Sequence, residues 1–582
     1  MTPITKIMDW TREYFITNKL DCNLMLENLD VLKEIPLLNN TPVHKLRDGQ
    51  LVRFKGMIQD MHNPEYYLQM YEVKNTQTET YQLKCGMYTD SAKCLPHEMI
   101  LLESEKNQSS ERYTYIVIST PGLNNWAKET YEQLHYSNIK SMNKKNLDGD
   151  NFETTNLELT KKKEKLSSSN SSEKIDAIRC NTTKQSAFLM EYILNFPIPM
   201  DDGKACIVKI YEDISLKLNQ IIEIIGFISL DPLSNIIDDS DGIMTKAEIT
   251  VHNPPGSLVP RLHAIKIIHS TKDIKIVPQM MSKVELIRND LHLILRQLLF
   301  GDHLAADYLI CHLLSSIYVK RDYFCLGTYP LNITHFPIKY KEFPKDLYKF
   351  LSLLTEKSYL LEITLENLNN LTLLPKKDYE CNRLTSGILQ LSDNTHLVID
   401  ETGLTTGQIT QAGRENYNAI CDLVNFQKIT YDFKFYKVEY DTDIPILILS
   451  EAKSFIPCQT QIVLKIDSES ESIYPQIIEI TEQCFKDENR LTNIRQYLKV
   501  IRDTKFEFND EDVTKEIQND FIQWKQRNKN ADHLHSLMVL ARLLSLSHEC
   551  NTLTIEYWKK AFQMEIERLD RIDKLSEKKI NF

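Results

Sequence analysis

An apolar stretch that ends in two carboxylates is the strongest candidate for chemistry in this chain. Residues 387–402 read GILQLSDNTHLVIDET and bring a strand-like run directly into Asp400 and Glu401. At a strand end, an aspartate can hold Mg²⁺ and an adjacent glutamate can polarise a water molecule for attack on a phosphate. A solvent-facing strand end can carry the same pair. The remaining parts of a nucleotide site must therefore decide what the pair means.

A phosphate-binding loop follows a strand and has the pattern G-x-x-x-x-G-K-[ST]. After the apolar stretch YFCL, Gly327 fills the first glycine position, Asn332 takes the second and Thr334 keeps the hydroxyl position. Ile333 stands where the lysine belongs, and an isoleucine offers no charge to the β- and γ-phosphates. Pro330 removes one backbone N–H from the loop. We predict a vestigial site that binds no nucleotide cofactor and has no catalytic residue.

One further position points the same way. The apolar strand IPILILS ends at Ser450, where an ATPase usually carries a polar sensor such as asparagine.

The twelve cysteines are scattered without a C-x-x-C pair, so we expect reduced structural thiols. His533 and His535 are two apart on a predicted helix and face different directions. We therefore predict no metal site.

The periodicity of the chain predicts a multidomain α/β protein with five segments. Strand alternation marks residues 51–61, a charged Ser/Asn-rich stretch marks 161–174, and apolar strands alternate with helices after 281. The predicted segments are an N-terminal helix plus β-rich domain (1–136), a disordered linker (137–184), an OB-like β module (185–280), an α/β core with a mostly parallel sheet (281–470), and a helical region with a C-terminal tail (471–582).

The composition is that of an ordinary globular protein, with 42% hydrophobic and 26% charged residues over 582 positions. A net charge of −12 argues against a main role in gripping the DNA backbone. There is no run of about 18 apolar residues, so we expect no membrane segment and a cytosolic or nuclear protein. The run KKKEK at 161–165 fits a nuclear import signal, but a solvated charge run is the favoured interpretation of these residues alone.

Longer stretches carry a resemblance to known proteins. The segment SGILQLSDNTHLVIDET resembles the Walker B strand of the minichromosome maintenance (MCM) helicase subunits. LGTYPLNIT lies where those subunits have their phosphate loop, and DHLHSLMVLARLLSLS resembles their lid helix with Asp532 in place of an arginine. A negative side chain there would repel a triphosphate. These likenesses imply an MCM-like core whose nucleotide contacts at Gly327, Asn332, Ile333, Thr334, Asp400, Glu401 and Asp532 are vestigial. They also imply that the last two predicted segments, 281–470 and 471–582, are a degenerate AAA+-like core and its lid.

The finer resemblance is to the MCM-binding protein family. It is carried in order by VRFKGMIQDMHNPEYY, NFPIPMDDGKACIVKIYED, HNPPGSLVPRLHAI, GDHLAADYLICHL, PKKDYECNRLTSGILQL and LVIDET. The resemblance implies a nuclear, non-catalytic partner of MCM subunits that promotes removal of the helicase from chromatin late in S phase. It also implies roles in DNA replication, in handling MCM subunits and in sister-chromatid cohesion.

Two other functions stay open on the residues alone. An OB-fold nucleic-acid binder would use exposed aromatics beside basic residues, and Tyr66, Tyr67 and Tyr71 are clustered in the N-terminal part. Those tyrosines could equally be core residues. An active AAA+ ATPase is the least favoured function because the phosphate lysine, the sensor and the lid arginine are all replaced.

Overall fold

The structure is a computed structural model of the chain. It describes residues 6–129, 190–230, 248, 251–269, 283–321, 324–508, 511–525 and 531–580. The predicted linker (137–184), with its basic run, lies outside these residues. The chain divides into two compact units, the first comprising Met1–Thr120, Lys128–His269 and Asp378–Thr385, and the second Pro121–Ala127, Ser270–Lys377 and Ser386–Phe582. The architecture is mixed α/β with several sheets, as the sequence predicts at that level.

The first unit opens with short helices and continues as strands. The helices are α1 (Arg12–Thr17), α2 (Lys19–Met25) and α3 (Leu29–Glu34). The strands are β1 (Leu51–Met61), β2 (Glu65–Asn75), β3 (Tyr81–Cys85), β4 (Glu98–Ile100), β5 (Gln108–Ile118), β6 (Ala205–Ile210), β7 (Ile221–Ser229) and β8 (Arg261–His269). The short strand β14 (Arg383–Thr385) also belongs to this unit.

Five of these strands close into a barrel. The order β1-β7-β8-β6-β5 is completed by pairing of β5 back onto β1. Alternate apolar residues fill the interior, among them Val52, Phe54, Val117, Val208 and Ile224, each buried completely. Strands from both predicted β domains therefore share one sheet and one core, so the predicted separation of residues 1–136 from 185–280 is wrong. The reason is that β1 and β7, far apart in sequence, pair side by side and direct their apolar side chains into the same interior.

The second unit contains a parallel sheet surrounded by helices. Its strands run in the order β12 (Ser358–Glu362), β15 (His396–Asp400), β18 (Ile446–Ser450), β11 (Leu331–Thr334) and β19 (Thr460–Val463). All four neighbouring pairs are parallel. Helices must cover both faces of such a sheet, because its strands are buried throughout. Smaller pieces are the hairpin of β9 (Val319–Arg321) with β10 (Phe324–Leu326), the hairpin of β16 (Lys428–Asp432) with β17 (Lys437–Asp441), and β13 (Lys376–Asp378).

The helices of this unit are α4 (Val284–Leu298), α5 (His303–Leu314), α6 (Phe343–Leu354), α7 (Leu365–Asn370), α8 (Gln411–Phe426), α9 (Ser468–Ser472), α10 (Tyr474–Cys484), α11 (Glu488–Asp503), α12 (Glu511–Lys525), α13 (Ala531–Ser547) and α14 (Ile555–Ile580). One apolar core joins them to the sheet: it contains Ile333 of β11 and Leu449 of β18 together with Leu540 of α13 and Trp558 of α14. The predicted boundary at residue 470 therefore does not separate two cores. No helix among the described residues combines the length and apolar character needed to cross a membrane.

Candidate nucleotide site at the carboxyl edge of the parallel sheet

The order of the parallel strands identifies where a ligand site would lie. The first strand along the chain, β11, sits between β18 and β19, while β15 and β12 lie beyond β18. Ligands of open α/β sheets bind outside the carboxyl ends of the strands, at the point where the strand order reverses. Here that point is the end of β11 at Thr334, next to the end of β18 at Ser450 and one strand from Asp400.

The phosphate-loop frame predicted from Gly327 to Thr334 is wrong. Asn332, Ile333 and Thr334 lie inside β11 and are almost completely buried, at 1%, 0% and 0% exposure. The stretch expected to be the preceding strand ends in β10, which pairs with β9 instead of joining the parallel sheet. Gly327 is needed for a different reason: its φ is +108°, and a Cβ there would lie 2.2 Å from the carbonyl oxygen of Ser316. Two short apolar stretches both read as strands, and only their pairing distinguishes them.

The loop that does follow β11 comprises residues 335–342, with the sequence HFPIKYKE, and leads into α6. Counting the eight-residue phosphate pattern from the observed strand puts His335 and Tyr340 at the two glycine positions. Lys341 then falls at the lysine position and Glu342 at the hydroxyl position. Sequence reasoning missed Lys341. The amphipathic pattern of α6 was the signal that could have found it. A proline in the first turn of α6 marks the start of the helix and therefore the end of the loop.

Apart from Lys341, the residues of this loop do not fit a triphosphate. The Tyr340 ring lies 5.8 Å from that of Phe300 and 4.8 Å from that of Tyr474, and its hydroxyl donates to the Glu471 carbonyl at 2.6 Å. The second glycine position is therefore filled by an aromatic side chain anchored in the unit. The N–H of Tyr340 donates to the Pro337 carbonyl at 3.0 Å, which takes it away from any phosphate cradle. Glu342 adds a negative charge where a magnesium-binding hydroxyl would stand.

The acidic pair at the end of β15 is buried and bonded to its own chain. Asp400 and Glu401 are only 6% and 7% exposed. One oxygen of Asp400 accepts from the N–H and the hydroxyl of Thr402, at 2.9 and 2.7 Å. This is the geometry of a turn-capping aspartate.

Glu401 binds the turn that follows β18. Its Oε1 accepts from the Ser454 hydroxyl at 2.9 Å and from the Ile456 N–H at 3.0 Å, and its Oε2 accepts from the Phe455 N–H at 3.0 Å. Burial raises the pKa of Glu401, and these hydrogen bonds offset part of that rise. A carboxylate already accepting three donors has little capacity left to orient an attacking water.

The two remaining predicted positions lie at β18 and α13. The Ser450 hydroxyl donates to Oδ1 of Asn332 at 3.0 Å and to the Ala452 carbonyl at 2.9 Å, so it ties β18 to β11. Asp532 lies in the first turn of α13, and its side chain is outside the described part of the structure. The structure thus brings Thr334, Asp400 and Ser450 to one edge, while Gly327 lies before β11. Within the described ranges, no three His, Cys, Asp or Glu side chains form a group able to hold a metal ion.

The geometry describes the carboxyl edge of a parallel sheet whose acidic pair is bonded to the chain's own groups, and comparison with known proteins gives the family of the chain. The family described as mini-chromosome maintenance replisome factor matches residues 22–572. The chain belongs to this family. Relatives from vertebrates and from Drosophila melanogaster align along nearly the whole chain, so the match includes both units and the family predicted from the sequence is confirmed.

Three of these relatives are each named mini-chromosome maintenance complex-binding protein. The one from Danio rerio is 34% identical over 607 residues, covering 97% of this chain and 94% of its own length. The Homo sapiens relative is 34% identical over 598 residues, covering 93% and 91%. The Drosophila melanogaster relative is 33% identical over 579 residues, covering 94% of each.

Proposed function

We propose that this chain is a non-catalytic binding regulator of the MCM helicase complex. The observation that carries the proposal is the sheet edge of the second unit, where Tyr340, Asp400 and Glu401 are all held by the chain's own groups. A binding role for the chain is supported by its relatives, which are named for binding the MCM complex. An edge filled in this way favours a scaffold over a nucleotide-hydrolysing site.

The second unit acts as a degenerate AAA+-like core that docks by subunit mimicry. The all-parallel sheet, with an acidic pair at the end of β15 beside the strand β18, supports this assignment. ATPase rings place each nucleotide between neighbouring subunits, so a pseudo-subunit can occupy a neighbour's place without supplying phosphate chemistry. The five-stranded barrel of the first unit supports an OB-like assignment.

In the cell, the protein works in the nucleus and promotes disassembly of the helicase and its release from chromatin late in S phase. It also assists the handling of MCM subunits, DNA replication and sister-chromatid cohesion. These roles rest on the family resemblance. The partners are MCM subunits, and contact with chromatin is indirect, through them.

Recovery of partners tests the binding role. The tagged full chain, purified from nuclear extract, is expected to bring down MCM subunits identified by mass spectrometry. Recovery of none of them would overturn the proposal. Subunit mimicry is tested with purified MCM hexamer and native mass spectrometry, because the chain should displace one subunit. A complex that holds the whole hexamer plus this chain contradicts mimicry while leaving binding intact.

Calorimetry with Mg-ATP tests the absence of catalysis. We expect no saturable heat, because the phosphate cradle is closed by Tyr340 and Glu342 adds repulsion. The variant Lys341→Ala is the matched control, since it removes the single cation that counting places at the phosphate position. Saturable binding that Lys341→Ala abolishes would revive the ATPase function.

A further inference from the structure

Strand β3 of the first unit is the end strand of its sheet. The order runs from the barrel through β5 and β2 to β3, and among the described residues no strand pairs with the outer edge of β3. An open strand edge presents unpaired backbone donors and acceptors, and natural proteins usually blunt such an edge with charge, proline or a covering segment. Strand β3 reads YQLKC and contains no proline.

The register shows which backbone groups point outward. Tyr71 lies opposite Lys84 and Val73 opposite Gln82. Beyond the two ends of β3, the Asn75 N–H donates to the Thr80 carbonyl and the Gly86 N–H to the Gln69 carbonyl. Hydrogen-bonded pairs alternate along an antiparallel ladder.

Residues 80, 82, 84 and 86 therefore direct their backbone groups toward β2. Tyr81, Leu83 and Cys85 direct their N–H and C=O groups away from the sheet. The outer edge of β3 thus offers backbone partners at every second residue.

The side chains beside this edge are apolar and exposed. Tyr81 is 59% exposed and Leu83 46%, and both lie on one face because they are two apart on a strand. Met99 of β4 is 51% exposed and lies opposite Lys74, which in turn lies opposite Tyr81. Opposite residues share a face, so Tyr81, Leu83 and Met99 lie on one face, with Lys74 of β2 between Tyr81 and Met99. Tyr81 and Leu83 are therefore the exposed apolar pair at the open edge of β3.

We propose that the outer edge of β3 binds an extended segment of a partner protein, which adds to the sheet as a further strand. The outward backbone groups select an extended chain, and the exposed face selects apolar side chains at alternate positions of that chain. A second copy of this chain is a less suitable occupant, because a net charge of −12 on each copy opposes self-association. The inference deepens the proposed function, on which it rests for taking the partner to be an MCM subunit.

Residue-resolved amide hydrogen exchange gives the most specific test. In the free full chain, the amides of Gln82 and Lys84 should be protected and those of Tyr81, Leu83 and Cys85 should exchange freely. Saturation with purified MCM complex should slow the second set and leave the first set unchanged. Only strand addition produces this alternation. Complex formation without new protection at Tyr81, Leu83 and Cys85 would overturn the proposal, as would protection of these amides already in the free chain.

A matched pair of variants tests the surface. Leu83→Lys and Gln82→Lys add the same charge to neighbouring exposed positions of one strand, but on opposite faces. Leu83→Lys should weaken binding of the MCM complex about tenfold, as loss of a central apolar anchor does, while Gln82→Lys should leave it within about twofold. Leu83→Pro removes the outward N–H together with the leucine side chain, while the backbone bonds of Gln82 and Lys84 to β2 stay available, and it should weaken binding at least tenfold.

The outcomes separate the two proposals. Failure of the wild-type chain to bind any MCM subunit would remove the proposed function. Normal wild-type binding with equal affinity for all three variants would overturn the docking edge alone. A dimer of the free chain that Leu83→Lys dissociates would assign the edge to a second copy and would also overturn the inference.

Discussion

Replacing Glu401 by alanine should destabilise the second unit, because its carboxylate holds the turn after β18. Three donors lose their acceptor in this variant: the Ser454 hydroxyl and the N–H groups of Phe455 and Ile456. Two of them keep a second partner, since the Ser454 hydroxyl also donates to the Ile456 carbonyl at 2.8 Å and the Ile456 N–H reaches the Ser454 oxygen at 3.1 Å. The net loss is thus between one and two hydrogen bonds to a charged group.

Each such bond contributes about 1.5–3 kcal/mol. Burial raises the pKa of Glu401, which means that burying its charge costs free energy. Removing the carboxylate relieves that cost and offsets part of the lost hydrogen bonding. We therefore expect Glu401→Ala to cost about 2–3 kcal/mol. Glu401→Gln should cost about 1 kcal/mol, because the amide keeps one acceptor oxygen but turns an NH₂ group toward a donor.

The measurement is thermal unfolding of the full chain. Glu451→Gln is the control, because Glu451 directly follows β18 and its side chain is exposed. A large domain loses about 2 °C in its midpoint per kcal/mol, so Glu401→Ala should unfold about 4–6 °C lower and the control should match wild type. Amide exchange at Phe455 and Ile456 should accelerate in Glu401→Ala.

The pH dependence has a definite sign. The pKa of Glu401 is higher in the folded than in the unfolded chain, so its ionisation disfavours the fold. That cost is absent below the unfolded pKa, about 4.3, and fully present above the folded pKa. Wild type should therefore gain stability relative to Glu401→Gln as the pH falls from neutral toward 4.3. A Glu401→Gln variant as stable as wild type, but lacking an ATP hydrolysis that wild type shows, would refute the structural role.

Three further perturbations test the fold. Gly56→Ala places a Cβ 2.4 Å from the Ile118 carbonyl oxygen and should cost roughly 1–3 kcal/mol in denaturant unfolding of the barrel unit. Burial alone would raise the pKa of Asp90, but His263, whose Nε2 lies 3.4 Å from its Oδ1, and the Ser229 hydroxyl, which donates to its Oδ2 at 2.6 Å, hold that pKa well below its usual range. The resulting stability is present above the unfolded pKa of about 4 and is lost as the pH falls below it, so Asp90→Asn should reduce the loss of stability below about pH 4. Trp126→Phe removes the indole N–H that is shared between the Ser352 and Thr355 carbonyls and should lower stability by about 1 kcal/mol, measured by calorimetric unfolding.

Local patterns along the chain predicted many elements well. The alternation over residues 51–61 corresponds to β1 (Leu51–Met61), and the apolar run before Asp400 corresponds to β15. The stripe in ADHLHSLMVLARLLSLS corresponds to α13. In each case the signal lies within one element, where side-chain periodicity follows directly from backbone geometry.

Pairing between distant strands was not predictable in the same way. Arg53 of β1 lies opposite Ile225 of β7, and nothing local to either strand specifies that partner. The same difficulty misplaced the phosphate loop, since β10 and β11 are both short and apolar, and only the neighbours of β11 show that it belongs to the parallel sheet. The true loop carries Lys341 but no glycine, so a search for the glycine pattern passes over it.

The acidic pair shows why a retained motif is weak support for retained catalysis. A carboxylate buried at a strand end must be bonded to metal or to donors, because an isolated buried charge is costly. Here the chain supplies those donors through Thr402 to Asp400 and through residues 454–456 to Glu401. An apolar substitution at either position would remove a carboxylate that these donors bond and would destabilise the turn it holds, so the fold itself favours the pair whether or not nucleotide binds. The loop after β11 differs from the phosphate pattern itself: Tyr340, anchored against Phe300 and Tyr474, stands where the pattern has its second glycine.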